Sequence, residues 1–195
     1  MSHRTAHLPE DTSALRRFLE EIRYHEASRQ LLALLYVAIV AIFGYATPLT
    51  FYLALPLIAL GIVVRLWASG HIMKNKQLAT NGPYGMVRHP LYTGNVLILV
   101  GFCIAAKLWW GYVLLVLLLA LFYPATIRYE DKKLHKIFGD AWEVWSSKTP
   151  ALFPRRLDFS SDNKWSFTKS LRKNGEPLII AYLIIWLWVL YEKFV

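Results

Sequence analysis

Cysteine is almost missing: Cys103 stands alone in 195 residues. One thiol can make neither an internal disulfide nor a zinc cluster, and inside an apolar run it reads as a small buried side chain. His25, His71 and His135 show no ligand spacing with it or with a pair of acids, so no metal is expected. Acid is also scarce, 13 Asp and Glu against 22 Lys and Arg, for a net charge of +9. Residues 70–90 hold Lys74, Lys76 and Arg88 with no acid at all. In a soluble chain that excess would point to nucleic acid. Here 56% of the residues are apolar and the mean hydropathy is +0.35. Positive-inside topology and anionic lipid headgroups explain the charge better, and no nucleic-acid partner is expected. A phosphate-cradling Gly-x-Gly-x-x-Gly is absent, as are internal repeats and low-complexity tracts. The polar N-terminus of mixed charge leads to the expectation of no secretory signal.

What is abundant is apolar sequence in long runs. The reading is an all-α integral membrane protein, one membrane domain over 1–195, with about five transmembrane helices and a polar site on the cytoplasmic face. Residues 11–28 read as an interfacial amphipathic helix capped by Asp11, Thr12 or Ser13, with Leu15, Phe18, Leu19 and Ile22 on one side. Spans are expected at 30–46, 51–69, 90–106, 112–125 and 178–194. Eight tryptophans and eleven tyrosines suit two membrane–water interfaces. In the second span Ala54, Gly61 and Ala68 form a small-residue stripe that admits a close neighbour, and Gly94 and Gly101 do the same in the third. Arg65 either snorkels to the headgroups, the preferred reading, or points inward to a polar site. The fourth span continues as a polar helix broken at Gly139, with Asp140 capping a further short turn. Loops 70–90 and 126–176 carry most of the Lys and Arg, while Lys107 and Lys193 fall on the other side. Five spans then place the N-terminus and both loops in the cytoplasm.

The polar sequence centres on residues 82–94, Gly-Pro-Tyr-Gly-Met-Val-Arg-His-Pro-Leu-Tyr-Thr-Gly. Gly82 to Gly85 read as a tight turn and His89-Pro90 as a helix start, since proline fits the first helical position. Arg88 and His89 therefore sit at the positive end of a helix, a ready place for an anionic group. The plain reading is a juxtamembrane turn whose charges hold the orientation. A second polar block follows: Arg128-Tyr129-Glu130-Asp131, Leu134, Phe138-Gly139-Asp140-Ala141-Trp142 and Thr149-Pro150. One site built from both loops, completed by 126–176, is the economical arrangement.

These two blocks, in this order, resemble the signature of the isoprenylcysteine carboxyl methyltransferase family and its phospholipid-methyltransferase relatives. The resemblance covers about residues 75–155; the remaining helices match only as apolar segments. It implies a multi-pass membrane enzyme that uses S-adenosyl-L-methionine and releases S-adenosyl-L-homocysteine. Carried over by motif position, the cofactor contacts fall on Lys76, Gln77, Leu78, Ala79, Tyr84, His89, Pro90, Leu91, Tyr92 and Glu130, with Trp142 added as an aromatic face for the sulfonium. The implied acceptor is the carboxylate of a prenylcysteine-like lipid entering from the bilayer. It is already a nucleophile at neutral pH, so alignment replaces base catalysis. Arg128, with Arg155 or Arg156 behind it, is the expected carboxylate clamp, and Glu130 the second catalytic group. Some relatives place the substrate arginine four residues before the glutamate, where this chain has Thr126.

Plainer roles stand beside these. His89 as a helix cap, Tyr92 as an interface aromatic, Arg88 as a headgroup contact, and Gly94 and Gly101 as packing residues are the alternatives. Asp131 is preferred as part of a solvated face balancing Lys132 and Lys133. Competing functions are amine N-methylation of phospholipids, a nicotinamide-dependent membrane reductase of related architecture, and a non-catalytic membrane scaffold.

Overall fold

The computed structural model describes residues 26–71, 77–157, 165–173 and 175–195. Of the expected interfacial helix, residues 11–25 lie outside the described residues, as does Lys76. Among the described residues the fold is all helical: α1 (Glu26–Phe43), α2 (Pro48–His71), α3 (Pro83–Met86), α4 (Pro90–Ala106), α5 (Trp109–Phe138), α6 (Asp140–Lys148), α7 (Phe167–Lys173) and α8 (Glu176–Tyr191).

Local chemistry sets the boundaries. Thr47 precedes Pro48, and the two threonines of that turn cap each other: Thr50 N–H donates to Thr47 Oγ1 at 3.4 Å and Thr47 N–H to Thr50 Oγ1 at 3.1 Å. Helix α2 therefore starts three residues earlier than the apolar run alone indicated. The expected fourth span and its polar continuation form one helix, α5, of 30 residues. It ends where Gly139 takes φ 54° and ψ −130°, a conformation open to glycine. Asp140 does not cap α6; Gly139 does, and Asp140 is the first helical residue, where its charge suits the helix dipole.

Packing is dominated by α2 against α4. A Cβ at Gly94 would stand 2.7 Å from the carbonyl oxygen of Gly61, and one at Gly101 would stand 2.4 Å from Ile58 Cγ1. The two small-residue stripes therefore face each other; the spacing indicated a close neighbour but not which helix it would be. Around this contact a core of Val37, Val40, Ala54, Ile58, Leu99, Phe102 and Leu183 is closed to solvent.

Large apolar side chains also cover the outside of the long helices. Leu53, Leu60 and Val63 on α2, Val113, Val116 and Leu121 on α5, and Leu178, Ile184 and Ile185 on α8 are all exposed. Helices α2 and α5 are long and apolar enough to cross a membrane, and most of each apolar stretch faces outward. The core helix of a soluble protein would be mostly buried, so this surface fits a lipid surround. The apolar helices Gln30–Phe43, Pro90–Ala106 and Glu176–Tyr191 are shorter.

Candidate active site

The turn entering α4 carries the site. Gly82 adopts φ 60°, with the His71 ring packed so close that a Cβ would lie 2.8 Å from its Nε2. The one-turn helix α3 then buries Tyr84, and Val87 is extended. His89 is the N-cap of α4, with Pro90 at its first position. The backbone of this segment pairs with the stretch after α6: Arg88 N–H donates to Pro150 O at 2.8 Å and His89 N–H to Ala151 O at 3.0 Å. Thr93 Oγ1 donates to Leu152 O at 2.7 Å. The second polar block is thus tied directly to the first.

Helix α5 supplies the acids. His89 donates from Nε2 to Asp131 Oδ1 at 2.9 Å, while its Nδ1 stands 3.5 Å from Glu130 Oε2. Tyr92, one turn into α4, donates its hydroxyl to Glu130 Oε1. Its ring stacks on His89 with centroids 5.5 Å apart and meets the edge of Tyr123. Arg88 pairs through Nη2 with Asp131 Oδ2 at 3.1 Å and donates from Nη1 to Ser146 O at 3.0 Å. Its guanidinium lies 5.9 Å from the ring centre of Trp142.

Electrostatics follow from this placement. Burial is the largest influence on His89 and disfavours its charged form. The Asp131 and Glu130 carboxylates together outweigh it, so the imidazole pKa is raised above its ordinary value. Tyr84 is held neutral by burial first and then by the negative charges of Glu130 and Glu176.

Of the residues expected from sequence, His89, Tyr92 and Glu130 share one hydrogen-bonded network, and Trp142 reaches it through Arg88. Pro90 is buried and Leu91 half-buried in the first turn of α4. Gln77 is exposed, with Leu78 and Ala79 half-buried on the stretch leading to Gly82. Arg128 is not brought in: it is exposed, and its Nε donates to Pro124 O at 3.1 Å on its own helix. Arg155 and Arg156 are exposed as well.

Two groups are placed otherwise than the sequence reading preferred. Asp131, read as solvated, is tied to both Arg88 and His89. Arg65, preferred as a snorkelling residue, points inward to Glu176. The available signal for the latter was a single base in one apolar run and a single acid opening another.

Among the described residues no group of three or more His, Cys, Asp or Glu is arranged to hold a metal ion. The Phospholipid methyltransferase family model matches residues 49–141, just under half of the chain. The matched stretch contains the α2–α4 pair, the Gly82–Tyr92 segment and all of α5. The chain is 36% identical over 124 residues to the cobalt-zinc-cadmium resistance protein CzcN of Cupriavidus metallidurans, covering 63% of this chain and 57% of that protein. It is 37% identical over 110 residues to the nickel-cobalt-cadmium resistance protein NccN of Alcaligenes xylosoxydans xylosoxydans, covering 55% and 51%. The chain thus spans little more than half the length of these curated relatives. No solved structure matches significantly. The family match, over the stretch that holds the His89–Glu130–Asp131 network, supports a membrane methyltransferase.

Proposed function

We propose that the protein is an S-adenosylmethionine-dependent methyltransferase acting on a lipophilic acceptor at the membrane surface, with its five apolar helices as spans. The observation that carries this reading is the meeting of His89 with Asp131, 42 residues apart, at the mouth of an apolar bundle.

The residues present fit the cofactor. Arg88 Nε, Thr126 Oγ1, Trp142 Nε1 and Trp145 Nε1 are buried polar atoms without a partner. All four can donate, which suits a ligand rich in acceptors such as carboxylate, ribose hydroxyl and adenine nitrogen. Trp145 lines an open groove of about 650 Å³ with Thr80, Gly85, Lys148 and Thr149. Bound S-adenosylmethionine supplies an electrophilic methyl group on a sulfonium. The unpartnered Arg88 Nε would hold its carboxylate, Glu130 its ribose or ammonium, and the faces of Tyr84, Tyr92 and Trp142 its positive sulfur, while His89, already bonded to Asp131 and close to Glu130, would position these acids. Gln77, Leu78 and Ala79 would flank it from the preceding stretch.

Two acceptors are in play. A prenylcysteine-like carboxylate needs no base, but its clamp, Arg128, would have to turn away from Pro124 O. An amine headgroup is favoured by the convergence of Glu130 and Asp131, which attract a cation, and by the Tyr92–Glu130 contact, which offers a route for its proton. The metal-resistance names of the two relatives make metal-stressed membranes the place to look for the natural acceptor.

Calorimetric titration of S-adenosylhomocysteine into detergent-purified protein tests the cofactor. Binding by the wild type, lost in His89→Ala and Glu130→Ala, is expected. Folded wild type that binds nothing overturns the reading and turns attention to nicotinamide cofactors. Labelled methyl transfer to a prenylcysteine analogue, or to an ethanolamine phospholipid, then decides the acceptor.

A further inference from the structure

A second polar cluster lies among the apolar helices. The Arg65 guanidinium makes a two-pronged contact with Glu176, Nε to Oε2 at 3.0 Å and Nη2 to Oε1 at 2.8 Å, and its Nη1 donates to Asn95 Oδ1. Ser69 Oγ also donates to Glu176 Oε1, at 2.8 Å. Arg65 is 7% exposed, Glu176 1% and Ser69 0%. Three helices contribute: α2 gives Arg65 and Ser69, α4 gives Asn95, and α8 gives Glu176 from its first turn. The fold makes room for the cluster, because a Cβ at Gly94 would stand 2.6 Å from Arg65 Cγ.

Packing does not require these charges. Desolvating an ion pair tends to offset its attraction, and apolar side chains of similar volume hold helices together at least as well. Ionisable groups at this depth are unusual without a task. The neighbourhood indicates which task. Asn95 stands on α4 three residues beyond Tyr92, and Ser69 stands two residues before His71, the ring packed against Gly82. The one-turn helix α3, which buries Tyr84, follows directly from that Gly82.

We propose that the Arg65–Glu176 pair, with Ser69 and Asn95, is a positioning cluster for the methyl-transfer site: it fixes the first turn of α8 on α2 and α4 and so holds the wall that carries Tyr84. This rests on the methyltransferase reading above. It also makes the last helix, outside the stretch matched to the family, part of the working site.

The test compares thermal melting with S-adenosylhomocysteine affinity in the full chain. The apolar double variant Arg65→Met/Glu176→Leu is expected to melt near the wild type yet to bind at least about tenfold more weakly, as misplaced binding groups do. Should that variant fail to fold, Arg65→Lys keeps the charge but not the fork, and the same loss at near-native melting is expected of it. A folded variant that binds like wild type overturns the proposal and leaves the methyltransferase reading standing. Folded wild type that binds no S-adenosylhomocysteine overturns both.

Discussion

His89 is pulled two ways, and the balance yields a pH dependence. Burial, the larger single influence, disfavours the imidazolium, while Asp131 and Glu130 together prevail and raise its pKa. A group whose folded pKa is raised contributes stability that is fully present below its unfolded value, about 6.5, and is lost as pH rises through the folded value. The melting midpoint of the purified protein should therefore fall as pH climbs from about 6.5 into the alkaline range. His89→Gln should melt lower at pH 6 and show a flatter profile. Equal slopes in the two proteins would mean that the imidazole stays neutral between the carboxylates. That His89, Tyr92 and Glu130 would come together was legible in the sequence, because the two motifs that hold them were expected to build one site. Asp131 was not, for a geometric reason. Adjacent helical residues diverge by about 100°, so with Glu130 facing the site its neighbour should face water beside Lys132 and Lys133. What recovers it is Arg88, which crosses to α6 and meets Asp131 from the side.

Helices were legible in extent more than in detail. A helix was expected at 90–106 and α4 runs Pro90–Ala106, since His89-Pro90 marks its start; its last turn is closed by Lys107 in a left-handed conformation, φ 50°. Ends set by mutual side-chain bonds, as at Thr47 and Thr50, leave no periodic trace and were placed less well. The stripes that bring α2 and α4 together give a prediction at this scale. Gly94→Ala puts a methyl 2.6 Å from Arg65 Cγ and 2.7 Å from Gly61 O, closer than packed atoms come, so the helices must part. Overpacking of this kind costs about 1–3 kcal/mol. Gly111→Ala is the matched control, its Cβ reaching Val40 Cγ1 at 3.3 Å, and it should melt close to the wild type. Comparable melting of the two variants would show that the α2–α4 contact relaxes freely.

At the scale of the molecule, three contacts sort the chain ends and turns. Tyr45 N–H donates to Ala106 O at 2.7 Å, which brings the α1–α2 and α4–α5 turns to one end of the bundle. Lys193 Nζ donates to Ile42 O at 2.7 Å and Gly44 O at 3.0 Å, which adds the C-terminus to that end. The His89 network stands at the other end of α4, with the described residues 77–89 and 149–152 beside it. If the five apolar helices cross as proposed, this sorting is satisfied and the charge bias would put the site end in the cytoplasm. Because Cys103 is buried, the native background should be silent to a membrane-impermeant maleimide. Cysteines placed at Tyr45 and Trp109, 74% and 78% exposed, should react in right-side-out vesicles. Cysteines at the exposed Lys132 and Ser147 should react only in inverted ones. Reaction of all four from one side would break the five-crossing arrangement. Reaction of Lys132→Cys and Ser147→Cys from outside alone would keep the arrangement and reverse its orientation, placing the site where the cell supplies no S-adenosylmethionine. That result would count against the methyltransferase reading as strongly as a failed titration, because sidedness and chemistry are bound to the same end of the bundle.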